Sequence, residues 1–131
     1  MSFEDEMKAA TRRIIEGHDK IVRTATIDLF SGTIRDTPVD TGRARGNWVT
    51  RVDTPAQGVI EREDPDGSLA IAEVISETPE LAGREVFLSN ALPYVEGLEN
   101  GRSQQSPAGM VRRNLARVRR IVDQAVAKFR V

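Results

Sequence analysis

Thr37-Pro38-Val39-Asp40-Thr41-Gly42-Arg43 divides the chain: a long helical pattern stops there, and a strand pattern carrying the only tryptophan, Trp48, begins just beyond. Pro38 has no backbone N–H and disfavours helical geometry at Thr37. Asp40 and Thr41 can fold their side chains onto nearby backbone, and Gly42 can take a positive φ. A structural turn is therefore expected at Pro38, Asp40, Thr41 and Gly42.

Upstream, the spacing predicts one helix from Phe3 to Arg35. Ser2 followed by Asp5 resembles a capping box, and acids in the first turn suit the helix dipole. Phe3, Met7, Ala10, Ile14, His18, Ile21, Ala25 and Leu29 recur three or four apart, a continuous stripe expected to face the core. Ile15, Val22, Phe30 and Ile34 widen it, and Gly32 or the Thr37-Pro38 pair is expected to end the helix.

Downstream, Asn47 to Asp53 alternates as a half-buried strand with Trp48, Thr50 and Val52 on one face. Gln57 to Glu63 is read as the second strand of a hairpin. Asp64-Pro65-Asp66-Gly67 is a turn, after which Asp66 or Ser68 caps a short helix to Glu77 that buries Leu69, Ala72 and Ile75 and stops at Pro79. Gly83 to Asn90, with Val86-Phe87-Leu88, is a further strand, and Tyr94 to Gly101 a single helical turn. Arg102 to Ser106 is a polar loop. Ser106-Pro107 is expected to open the last helix, whose stripe would be Val111, Leu115, Val118, Val122, Ala125 and Phe129. The expected fold is one α+β domain over residues 1–131: a small antiparallel or mixed sheet flanked by long N- and C-terminal helices, with a short helical insertion.

With 131 residues there is room for one core, and at 5% aromatic content it must be mostly aliphatic. The absence of cysteine excludes disulfides and thiolate metal sites. The acidic start predicts no export signal, and no apolar run approaches the roughly 20 residues of a membrane helix. The net charge of −1 hides an asymmetry. Between Glu61 and Glu99 ten acids face two arginines, whereas beyond Ser106 seven basic residues face only Asp123. Solvation alone accommodates both blocks; complementarity between neighbouring copies is the sharper alternative.

Catalytic chemistry finds little support. His18, the one histidine, sits on an apolar stripe, and phosphate-binding glycine loops and nucleophile elbows are absent. Glu61, Glu63, Asp64 and Asp66 lack calcium-loop spacing and read as an acidic turn. No catalytic residue, metal or cofactor is expected. The basic final helix raises contact with nucleic acid, but no aromatic lies between its arginines 112 to 120, so phosphate attraction rather than base stacking is the form that contact would take.

Three stretches resemble the tail-component family of long-tailed bacteriophages, which includes neck, head-tail joining and tail-completion proteins. Thr37-Pro38-Val39-Asp40-Thr41-Gly42-Arg43-Ala44-Arg45-Gly46-Asn47-Trp48 is similar to the family's Pro-Val-Asp-Thr-Gly signature, basic residue and opening strand. Phe87 to Gly101 resembles its strand, Asn, Pro-Tyr and Leu-Glu-x-Gly order. Ser103 to Val111 resembles its polar loop and Pro-Ala-Gly before the last helix, with Ser106 where alanine is common. The resemblance implies a non-enzymatic virion protein of neck or tail, assembled in the host cytoplasm. Copies would form a homo-oligomeric ring, of six to suit the tail or of twelve, between a connector or head-completion protein and the tail tube protein. Genomic DNA would pass through the lumen, with no membrane involved. Arg43, Arg45, Gln104, Gln105, Arg112, Arg113, Arg119 and Arg120 are the candidate contacts to neighbouring subunits or to DNA. The alternative is a sequence-independent DNA-contacting assembly or regulatory factor using the basic C-terminal helix.

Overall fold

A computed structural model describes residues 2–101, 105 and 108–130. Helix α1 spans Phe3–Arg35 and opens on the expected capping box, with Ser2 Oγ accepting from the Asp5 N–H at 3.1 Å. It passes straight through Gly32 and ends at Asp36, just ahead of the proline.

A helical turn, α2 (Arg43–Gly46), then precedes strand β1 (Val49–Val52). Helix α3 (Ser68–Glu77) leads to β2 (Val86–Ser89), which pairs antiparallel with β1 so that Val49 faces Ser89 and Val52 faces Val86. Helices α4 (Val95–Glu99), α5 (Val111–Leu115) and α6 (Val118–Lys128) complete the α+β arrangement, with α6 along α1.

One core forms where α1, α3 and the sheet converge. Ile34, Trp48, Ala70, Val74 and Met110 are buried together, and Phe30, Leu88 and Leu98 pack around them.

Four expectations for the segments after α1 need correction. Gln57 to Glu63 is not a strand. The Asn47 side chain accepts from the Ile60 N–H and Arg62 reaches the Gly46 and Trp48 carbonyls, so side chains rather than a ladder hold this segment. Helix α3 buries Ala70 and Val74 instead of Leu69, Ala72 and Ile75. Its first turn is gripped by the buried Asp64 carboxylate, which accepts from the Leu69 and Ala70 N–H groups and fixes which face turns inward.

The last helix is in two pieces, and its first helical residue is Val111. Ser106 and Pro107 lie outside the described residues, but Gly109, at φ +80°, interrupts any helix before that point. Finally, of the expected stripe Val111 packs against the core and Ala125 is buried, but Leu115, Val118 and Val122 are exposed, and Met110, Asn114 and Ile121 turn inward in their place. Asn114 takes the inward place because it lies over Gly32, where a Cβ would meet its Oδ1, and because its amide donates to Asp36 and to the Met110 carbonyl.

Candidate functional site

The turn after α1 is held by bonds from several elements. Thr37 Oγ1 donates to the Thr33 carbonyl at 2.7 Å and accepts from Trp48 Nε1 at 2.8 Å, so the residue before the proline ties the helix end to the buried indole. Pro38 is buried beside it, and Gly42 takes φ +90°. Thr41 Oγ1 accepts from the Arg43 N–H, while Asp40 lies exposed at the rim.

Gly42 and Gly46 are dictated by approach as well as by conformation. A Cβ on Gly42 would lie 2.5 Å from the Pro65 nitrogen, and one on Gly46 would run into the Arg62 carbonyl oxygen. The segment 62–65 therefore lies directly on the turn, where the Asp64 N–H donates to the Gly42 carbonyl.

Arg45 is a clamp within the chain. Its guanidinium donates to the carbonyls of Thr37, Pro65 and Arg35, drawing helix end, turn and acidic segment together. Arg62 acts similarly from the other side, contacting Gly46, Trp48 and Glu73, and Glu73 also accepts from the Thr50 N–H. Nothing in the spacing of these arginines separates a clamp from a surface charge, because their acceptors are main-chain carbonyls.

The three separated motif stretches interlock here. Gln105 exchanges two hydrogen bonds with the Val39 backbone, at 2.8 and 3.0 Å, and Asn90 donates to the Ala44 carbonyl. Glu99 caps α5 by accepting from the Met110, Val111 and Arg112 N–H groups. A Cβ on Gly109 would collide with the Glu99 carbonyl at 2.5 Å. Burial is the largest influence on Glu99 and opposes its ionisation. The amides and the Arg112 side chain together outweigh it and hold its pKa below the ordinary 4.5.

A groove of about 220 Å³ opens along this joint between Pro38, Thr41, Arg43, Tyr94, Leu98 and Gln105. Arg43 is exposed on its wall, and Tyr94 is 45% exposed at its edge.

The other candidate contacts separate into two groups. Arg112 pairs with Glu99 at 3.2 Å. Arg113 and Arg117 approach Asp36 at 3.9 and 3.5 Å. Arg119 and Arg120 are exposed and take part in none of the ion pairs among the described residues. Gln104 lies outside the described residues. Among the described residues no group of three or more His, Asp or Glu side chains is placed to hold a metal ion, and no helix is long and apolar enough to cross a membrane.

A second surface corrects the expected stripe of α1, whose first residues lie outside the core. None of the residues from Ser2 to Glu16 is buried. That is more than twenty ångströms of helix, at about 1.5 Å per residue, standing clear of the core. Phe3 is 77%, Met7 53% and Ile14 61% exposed.

No protein-family model matches the chain, and comparison with curated proteins and with solved structures finds no match.

Proposed function

We propose that this chain is a structural ring subunit of the head-tail junction or upper tail of a long-tailed bacteriophage, joining connector to tail tube around the DNA path without catalysis. The observation that carries this reading is the interlocking of the three motif stretches. Asn90 of the second bonds Ala44 of the first, Gln105 of the third bonds Val39 of the first, and Glu99 of the second caps Val111 of the third. Residues distant in sequence thus serve one joint, so their order and spacing are constrained by a common geometry rather than by local turns alone.

Two further features support it. An apolar helix end left exposed among the described residues suits a protein whose surface is completed by assembly. The basic C-terminal segment places Arg112, Arg113 and Arg117 against Glu99 and Asp36, leaving fewer of its charges for phosphate than the sequence count suggests.

Electron microscopy and light scattering of the purified protein, alone and mixed with tails and with DNA-filled heads, test the proposal. Rings are expected, and a strict monomer with no ring at either site overturns it. Ring formation that ignores DNA separates it from the DNA-binding alternative, for which affinity falling steeply with salt is the signature.

A further inference from the structure

Two apolar rows lie on the surface, and all their residues apart from Val126 are ones expected to face the core. One runs along the free end of α1 through Phe3, Met7 and Ile14; the other runs along a flank of α6 through Val118, Val122 and Val126. Their nearest charges differ in sign at one end of each row: Glu4, Asp5 and Glu6 occupy the first turn of α1, ahead of Lys8, Arg12 and Arg13, whereas Arg119 borders the α6 row, with Arg120 and Asp123 further round the same helix.

We infer that the free end of α1 in one copy docks along the exposed flank of α6 in the next, a proposal that rests on the ring reading above and supplies its subunit contact. A helical end of this length is marginal in water without tertiary packing, so a covering surface is required for its apolar row to be useful. The α6 flank supplies an apolar row bordered by Arg119, and the contact covers both rows at once.

Pairing of two α1 ends with each other is the competing arrangement. It would leave the α6 row bare and Arg119 and Arg120 without carboxylates, and Glu4 already bridges Lys8 in its own helix at 3.1 Å. Because the two surfaces differ, each copy offers one and accepts the other. Such a contact is heterologous and closes into a ring when the rotation between copies permits.

The chain has no cysteine, which makes the contact directly testable. Met7→Cys and Val122→Cys variants, both at exposed positions, are treated with a short bis-maleimide separately and mixed. Cross-linked dimer in the mixture is expected to exceed that of either variant alone by about tenfold, because docking raises the effective concentration of one thiol near the other. A dominant cross-link between two copies of the Met7→Cys variant overturns the inference in favour of paired α1 ends. Rings seen by light scattering without the mixed product overturn the contact and leave the ring reading standing. A monomer at every concentration, with no cross-linking, overturns both.

Charge reversal gives an independent readout. Changing Glu4, Asp5 and Glu6 to Lys should weaken self-association by about tenfold or more, and Arg119→Glu with Arg120→Glu in the same chain should recover it. Failure to recover, with the circular dichroism unchanged, counts against the contact.

Discussion

The two ends of α1 differ in everything but secondary structure. Its C-terminal end is knitted to the rest of the molecule by Thr33, Ile34 and Thr37, by the Trp48 indole and by the Arg45 clamp. Among the described residues, the hydrogen bonds and ion pair of its N-terminal end run along its own axis. One helix therefore serves as a folding element at one end and as a presented surface at the other, and apolar periodicity alone does not distinguish the two uses.

The comparison breaks most readily at Trp48. Trp48→Ala removes the bulkiest side chain of the core and leaves Thr37 without its indole donor, a loss of about 4 kcal/mol typical of large aromatic truncations. Phe3→Ala, at the other end, should leave monomer stability within about 0.5 kcal/mol, as for exposed substitutions generally. Urea denaturation monitored by circular dichroism measures both. Equal losses would mean that the free end is part of the fold.

Arg45→Met keeps much of the side chain's length but withdraws its donors from the Thr37, Pro65 and Arg35 carbonyls. A cost of about 2–3 kcal/mol is expected, since the Thr37 carbonyl loses a part-buried charge-assisted bond and the exposed Pro65 and Arg35 carbonyls lose one each. Arg43→Met, nearby on the exposed groove wall, should be close to neutral by the same measurement. If Arg43 proves the costlier of the two, the clamp is misassigned.

How much of this was legible follows from the range of the interactions involved. The limits of α1, its capping box, both strands of the sheet and the Pro38–Gly42 turn depend on neighbours within a few residues, and the sequence reports them. Inward faces depend on remote partners. Asn114 displaces Leu115 from the interior because of Gly32 and Asp36, some eighty residues earlier, and Asp64 sets the rotation of α3 from beyond the turn. Helix α2 has too few residues to display any period. The arginines of the candidate site were visible as charges, but whether each meets a carbonyl, a carboxylate or solvent was not.

Glu99 tests the joint by pH. Its folded pKa is depressed, so its ionised form contributes stability that is fully present above the unfolded value and is lost as pH falls through the lower folded value. Unfolding followed from pH 7 downward should show this contribution waning below about 4.5 in the wild type. In Glu99→Gln it should be absent, with a loss of about 1–2 kcal/mol at neutral pH as the α5 amides exchange an ionised acceptor for a neutral one. An unchanged acid limb would place the source of the pH dependence elsewhere.

The smallest effect belongs to the free end. Ser2→Ala deletes the hydroxyl that accepts from the Asp5 N–H and half of a reciprocal pair in which the Ser2 N–H donates to Asp5. A cap of this kind contributes about 1 kcal/mol to its helix. Because none of residues 3–16 is buried, that loss should stay local. Hydrogen exchange in the first turns of α1 should accelerate about fivefold, the equivalent of that energy, while the thermal midpoint of the chain holds. In assembled rings the same amides should recover protection, since docking would supply the packing that the isolated helix lacks. A fall in the midpoint would mean that the cap is coupled to the core, and that the two ends of α1 unfold as one.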